Sequence, residues 1–207
     1  MTYDVYIKVY IALNRRTLDG NLVDGEIIYV DIERCVGCLS CYIACAVEHS
    51  LTKSLHTAIY ETPRPLPRIK VAPALGYNVP IRCMHCEKPP CVEVCPTGAL
   101  VKAPKGPVLI KREACIGCKG CILACPYGAV TLSTAEKIAS KCDFCFERTE
   151  KGLPPACVEA CPTKALKYGR VEDVLREVHE RKAREFVTGL TGAPGGTIVL
   201  YGKPSVR

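Results

Sequence analysis

The sequence predicts an α+β fold made of two similar, interleaved units with surface extensions. Four cysteine-rich motifs repeat along the chain, which indicates two copies of one architecture. Short segments of alternating polarity flank these motifs and predict small sheets of two strands. The segments are residues 26–32 (EIIYVDI), 107–113 (PVLIKRE), 129–133 (AVTLS) and 165–169 (ALKYG).

The four motifs account for all 16 cysteines of the 207-residue chain. Each motif ends in C-x3-C, and three continue directly into proline, as CPTGAL, CPYGAV and CPTKAL. Motif one has Cys35, Cys38, Cys41 and Cys45; motif two has Cys83, Cys86, Cys91 and Cys95; motif three has Cys115, Cys118, Cys121 and Cys125; motif four has Cys142, Cys145, Cys157 and Cys161.

Disulfides, zinc and iron–sulfur clusters are the three explanations for so much cysteine. Disulfides need an oxidising compartment, but Arg15-Arg16 precedes a segment too polar for an export signal. No apolar run reaches the roughly 18 residues of a membrane helix, so we expect a soluble, cytoplasmic chain with reduced thiols. Zinc favours two separated C-x2-C pairs, which fits motif four alone but not motifs one and three. The pattern therefore favours iron–sulfur clusters.

The spacing within the motifs has a physical explanation. In C-x2-C-x2-C the chain wraps tightly enough for three thiolates to bind three corners of one [4Fe-4S] cluster. Glycines such as Gly117 and Gly120 let the backbone approach the cluster. In two-cluster ferredoxins the fourth cysteine, before the proline, binds the other cluster and joins two half-motifs into one fold.

The formal charge of +7 counts all cysteines as neutral thiols. Four oxidised clusters with their thiolates, each of net charge about −2, would bring the total to about −1. Much of the basic character then compensates the clusters, and we expect no nucleic-acid partner.

The order of the motifs, with the wide gap in KCDFCFERTEKGLPPACVEACPTKAL, resembles the four-cluster iron–sulfur subunits of multisubunit oxidoreductases, of the dimethyl-sulfoxide-reductase and formate-dehydrogenase type. ERCVGCLSCYIACAVEHS and IRCMHCEKPPCVEVCPTGAL look most similar to the polyferredoxins that accompany carbon monoxide dehydrogenase and tungsten aldehyde oxidoreductase. The resemblance covers roughly residues 27–170 and implies four [4Fe-4S] clusters.

The resemblance also implies how the motifs pair: one with four, and two with three. The chain departs from the motif pattern at two positions. Ala46 follows Cys45, where a proline is usual, and Lys164 replaces the glycine that motifs two and three have as Gly98 and Gly128. Both lie near the clusters of motifs one and four and can change their reduction potentials. The implied ligands are Cys35, Cys38, Cys41 and Cys161 for cluster 1; Cys83, Cys86, Cys91 and Cys125 for cluster 2; Cys115, Cys118, Cys121 and Cys95 for cluster 3; and Cys142, Cys145, Cys157 and Cys45 for cluster 4.

Around these sites we expect five parts. Residues 1–26 form an N-terminal extension with a strand-like VYIKVYIAL; residues 27–60 and 135–170 form a split ferredoxin-like unit; residues 61–76 connect; residues 77–134 form a continuous unit, with a hairpin turning at Lys105-Gly106; and residues 171–207 form a helix and tail. The insert at 46–80 is predicted to run extended, either covering a cluster or docking on a partner. The helix is predicted to pack through Val171, Val174, Leu175, Val178, Phe186, Val187 and Leu190, with Arg176, Glu180, Arg181 and Arg184 in solvent.

Two functions follow from this interpretation. The first is a non-catalytic electron-transfer subunit between a large catalytic subunit, of the tungstopterin aldehyde oxidoreductase or carbon monoxide dehydrogenase type, and a ferredoxin or hydrogenase module. Formate dehydrogenase or hydrogenase partners come next. The alternative is a free polyferredoxin carrier or a self-associating, filament-forming electron wire. No nucleotide-binding or nucleophile pattern assigns catalysis to this chain.

Overall fold

The computed structural model describes residues 25–103, 106–133 and 135–191, with side chains up to residue 188. The predicted strand VYIKVYIAL, the GAPGG run, Lys105 of the hairpin turn and the side chain of Leu190 lie outside the described residues. The strands are β1 (Glu26–Val30), β2 (Lys70–Ala74), β3 (Tyr77–Ile81), β4 (Leu100–Lys102), β5 (Val108–Ile110), β6 (Thr131–Leu132), β7 (Ala139–Ser140) and β8 (Leu166–Arg170). The helices are α1 (Ser40–Glu48), α2 (Leu55–Ala58), α3 (Pro90–Glu93), α4 (Gly120–Ala124), α5 (Phe146–Thr149), α6 (Ala156–Glu159) and α7 (Val171–Thr191), with 3-10 turns at Ile32–Arg34 and Arg112–Ala114.

The eight strands form four antiparallel pairs: β1–β8, β2–β3, β4–β5 and β6–β7. All four alternating segments of the sequence contain a strand, so these predictions are confirmed. Strand β1 pairs with β8 from Glu26 opposite Arg170 to Val30 opposite Leu166. The first and last strands of the described residues therefore form one sheet, which brings the two ends of the described chain together.

Two apolar cores lie beneath these sheets, and both contain cysteine. The first packs Ile28, Ile69 and Leu166 against Cys41, Cys45, Cys157 and Cys161. The second packs Leu100, Val108 and Val130 against Cys91 and Cys121. A third, smaller group joins Cys83, Ala129 and Cys142. Sulfur thus occupies the positions that large apolar side chains fill in most domains.

The insert is more ordered than the extended path that its sequence predicts. It contains α2 and the hairpin β2–β3, whose two-residue turn places Leu75 and Gly76 at φ of 48° and 83°. Two successive left-handed residues are the geometry of a tight hairpin turn. Ile69, just before β2, is 2 % exposed and anchors the hairpin in the first core.

The apolar face of helix α7 packs on the sheet only near the beginning of the helix. Val174 is 7 % exposed, whereas Phe186 is 64 % exposed, so the predicted apolar face is covered only near its beginning. Arg181, predicted in solvent, instead donates hydrogen bonds to the buried Asp31 carboxylate and to the Tyr29 hydroxyl. That prediction was wrong because periodicity cannot show that a buried acid lies beneath the helix. Within the described residues no helix has the length and apolar character needed to cross a membrane.

Candidate metal centres

The sixteen cysteines are all free thiols. Burial, together with the neighbouring Cys161, Cys35 and Cys38, raises the pKa of Cys41 to about 11. Burial likewise raises the pKa of Cys91 to about 11, with further contributions from Cys83, Cys125 and Cys86.

The other two sets show the same relationship between motifs. Burial raises the pKa of Cys121, and Cys115, Cys118 and Cys95 add to it. Burial also raises the pKa of Cys157 well above its usual range, with Cys142, Cys145 and Cys45 contributing. Each of these four thiols interacts with three other thiols, and at least one of the three comes from a second motif. Because ionising four adjacent thiols is unfavourable without a compensating cation, these sets suit a highly charged metal group.

Two of the sets line open cavities. One cavity is bordered by Cys95, Cys115, Cys118 and Cys121. The other is bordered by Cys83, Cys86, Cys91 and Cys125. Soft thiolate donors arranged around such a space fit an iron–sulfur cluster, which thiolates bind preferentially.

One backbone feature recurs in all four motifs. The residue before the second cysteine is left-handed in each: Gly37 (φ 70°), His85 (51°), Gly117 (67°) and Phe144 (69°). In motifs two and four this turn directs the N–H of His85 and Phe144 to Cys83 Sγ and Cys142 Sγ, both at 3.4 Å. The predicted role of Gly117 agrees with its left-handed φ, whereas Gly120 instead begins α4.

Further backbone N–H groups point at the sulfur atoms from outside the motifs. Arg68 N lies 3.2 Å from Cys45 Sγ, and Ala139 N lies 3.4 Å from Cys115 Sγ. Ala129 N lies 3.4 Å from Cys125 Sγ. Such donors favour charge on sulfur and are the contacts by which proteins adjust cluster potentials.

Two buried cations, which the sequence analysis missed, connect the motifs. Arg82 and Lys141 are each 3 % exposed and each precede the first cysteine of a motif. Arg82 donates to the carbonyl oxygens of Cys83 (2.7 Å) and Ile28. Lys141 donates to those of Cys142 (2.9 Å) and Val108. The only sequence signal was their equal placement, one residue before the motif.

His85 lies in the same region and is not arranged as a metal ligand. Its Nδ1 accepts a hydrogen bond from Val108 N at 3.0 Å. Burial, together with the charges of Lys141, Arg82 and Lys102, holds the pKa of His85 well below its usual range. A neutral imidazole with hydrogen on Nε2 satisfies this geometry.

Two family models match parts of this chain. Residues 75–171 match a 4Fe-4S dicluster domain, and residues 32–48 match a 4Fe-4S binding domain. The thiosulfate reductase electron transfer subunit PhsB of Salmonella typhi is 34 % identical over 91 % of this chain and 97 % of its own length.

Two further relatives have comparable similarity. The B subunit of the anaerobic dimethyl sulfoxide reductase of Escherichia coli is 37 % identical over 73 % of this chain and 76 % of its own length. The arsenate respiratory reductase iron-sulfur subunit ArrB of a Shewanella strain is 30 % identical over 73 % of this chain and 84 % of its own length. Since relatives of this kind match along most of their length, this chain belongs to the family of 4Fe-4S iron–sulfur electron-transfer subunits of oxidoreductases.

Proposed function

We propose that this chain is a non-catalytic subunit that relays single electrons through four [4Fe-4S] clusters. The observation that carries the proposal is the gathering of sixteen thiols into four sets, each drawn from two motifs. When bound, the clusters supply one-electron iron chemistry with little reorganisation. Because each set uses four cysteines, no metal position is left for a substrate, and catalysis is assigned to a partner.

The fold supports a linear order of the proposed sites. Cys41 and Cys45 lie about one turn apart on α1, so clusters 1 and 4 are neighbours. Cys121 on α4 and Cys125 at its end relate clusters 3 and 2 in the same way. Cys83 and Cys142, which share the smallest core, bring clusters 2 and 4 together. The order that follows is cluster 1, 4, 2, 3.

Exposure agrees with that order. Cys38 and Cys118 are the exposed cysteines, and they belong to clusters 1 and 3, the two ends. We propose that electrons enter and leave at these two surfaces. Residues 35–47 carry no charged side chain, whereas Lys119 lies between Cys118 and Cys121 at the other end.

We further propose that the split unit and the continuous unit each bind two clusters. Pairing of β1 with β8 supports the split unit. The pairs β2–β3 and β6–β7 cross the boundaries placed at 76/77 and 134/135. We therefore propose that the continuous unit extends from about Arg82 to about Lys141, and that these two residues join it to the split unit.

The catalytic partner is proposed from resemblance. The relatives are named as subunits of reductases, and we propose a large catalytic oxidoreductase subunit for this chain too. The sequence resemblance favours a tungstopterin aldehyde oxidoreductase or a carbon monoxide dehydrogenase type, with a ferredoxin as the second partner.

Anaerobic purification from the native host tests the proposal. We expect about 16 iron and 16 sulfide per chain, paramagnetic signals after dithionite, and a large metalloenzyme that copurifies. Zinc in place of iron, or far fewer than 16 irons, would contradict the four-cluster assignment. If no metalloenzyme copurifies under low-salt conditions, the subunit assignment is contradicted.

A further inference from the structure

Helix α1 is longer than its counterpart in motif three. Ala46 follows Cys45, whereas Pro126 follows Cys125, and α1 has 9 residues against 5 in α4. Since alanine does not interrupt a helix, α1 continues to Glu48. His49 then lies one turn beyond Cys45, with its Nδ1 2.7 Å from Cys45 O and 3.7 Å from Cys45 Sγ.

His49 is held from its other side by Asp143, inside the C-x2-C of motif four. Asp143 Oδ1 lies 3.1 Å from His49 Nε2 and also accepts a hydrogen bond from Cys145 N. Its Oδ2 lies 2.5 Å from Arg68 Nη1. Although burial opposes ionisation, the hydrogen bond from His49 and the charge of Arg68 lower the pKa of Asp143 below its usual range.

Both ring nitrogens of His49 lie against oxygen atoms. Nδ1 lies against the carbonyl oxygen of Cys45, and Nε2 lies against the carboxylate of Asp143. His49, Asp143 and Cys145 bring ligand atoms within 4.8 Å of one another. Because Asp143 is already paired with both His49 and Arg68, we interpret these residues as a network beside the thiols and not as a separate metal site.

Arg68 brings both a backbone donor and a positive charge to Cys45. Its N–H lies 3.2 Å from Cys45 Sγ, and these contacts oppose the effect of burial, which raises the pKa of Cys45 to about 12. The counterpart thiol Cys125 receives the N–H of an alanine, Ala129. Met84 stands where motif four has Asp143. Of the two neighbouring proposed sites, clusters 2 and 4, only cluster 4 therefore has this network.

We propose that Arg68, oriented by Asp143, is a positioning residue that stabilises the reduced state of cluster 4. Reduction adds one negative charge to the site, and the permanent positive charge of Arg68 beside Cys45 favours that state. This inference rests on the proposed function, since it needs the ligand set Cys142, Cys145, Cys157 and Cys45.

The test is a redox titration of the anaerobically purified full chain, followed by electron paramagnetic resonance. Cluster 4 is identified as the signal that changes in Cys157→Ser. In Arg68→Met we expect its potential to fall by enough to change the oxidised-to-reduced ratio about tenfold, which is 59 mV for one electron. Arg68→Lys keeps the positive charge and should largely restore the potential. Arg64→Met removes an equal charge from an exposed position of the same insert and is the matched control.

The outcomes separate this inference from the proposed function. If the unaltered protein holds far fewer than about 16 irons, the proposed function fails and this inference fails with it. If iron is complete but Arg68→Met shifts no potential, or shifts all four equally, only this inference fails. Loss of about four irons in both Arg68→Met and Arg68→Lys would show a purely structural role and would also overturn it.

Discussion

His85 and Phe144 meet edge to face, with ring centroids 5.3 Å apart and planes inclined at 84°. They occupy the same place in two motifs, in C-M-H-C and C-D-F-C, and both have left-handed backbone. Edge-to-face pairs of this kind add about 0.5–1.5 kcal/mol beyond their buried area. Equivalent residues of motifs two and four therefore form the contact between these two motifs.

His85→Phe tests what the imidazole adds to this contact. The ring contact is retained, but the buried N–H of Val108 loses its acceptor, at a cost of about 1–3 kcal/mol. We expect the guanidinium midpoint for loss of visible cluster absorbance to fall. The control is Phe144→His, which leaves the Val108 bond intact. Equal midpoints for His85→Phe and the unaltered protein would contradict the assigned bond.

Removing Arg82 or Lys141 should destabilise the protein. Each is buried and bridges two carbonyl oxygens from different elements, so removing its head group leaves both oxygens without that donor. We expect Arg82→Met and Lys141→Met each to lower stability by about 2–4 kcal/mol, with Arg82→Lys intermediate because lysine lacks the planar fork. Denaturant midpoints measure this. Lys151→Met, at an exposed position, should change nothing.

Helix α7 should depend strongly on its ion pair with Asp31. Asp31 is fully buried, and Arg181 is the residue of α7 that pairs with it. Arg181→Met leaves Asp31 with only the longer 3.6 Å contact to Arg34, and we expect a loss near the lower end of about 3–5 kcal/mol. The double variant Asp31→Asn, Arg181→Met should recover part of it. Arg184→Met, whose partner Glu180 lies on the surface, should cost less than about 0.5 kcal/mol.

Much of this structure was predictable from the spacing of the cysteines. The strands beside the motifs and the left-handed Gly117 follow from local pattern, because strand alternation and cluster loops depend on neighbouring residues. The contacts of Arg68, Asp143 and Arg181 could not be predicted in this way, because their partners lie 75 to 150 positions away in sequence. A charged residue in sequence looks like a solvated one until the fold supplies a buried partner. The β2–β3 hairpin was missed because prolines in the insert favoured an extended path.

The glycines before the second cysteine offer a sharper test of local geometry. A Cβ on Gly117 would lie 2.2 Å from the carbonyl oxygen of Lys137. Because that oxygen belongs to the backbone, the clash can be relieved only by moving the main chain. Gly98 is also left-handed, at φ 62°, but a Cβ there meets nothing within 4 Å. We expect Gly117→Ala to lose about four irons from the site of Cys115, Cys118 and Cys121. Gly98→Ala should keep full iron and lose only about 1 kcal/mol. Equal iron in both variants would contradict the close approach.

The pairing of motifs leads to a prediction about ligand exchange between them. If Cys161 binds with Cys41 and Cys45 with Cys157, then Cys161→Ser and Cys45→Ser must affect different clusters, although each cysteine is the last of its motif. We expect Cys161→Ser to alter the same resonance signal as Cys41→Ser, and Cys45→Ser the same signal as Cys157→Ser. Electron paramagnetic resonance of the four reduced variants distinguishes this from binding within one motif, in which Cys45→Ser would match Cys41→Ser. Serine keeps an oxygen ligand, so each variant should retain most of its iron while the altered centre shifts its potential.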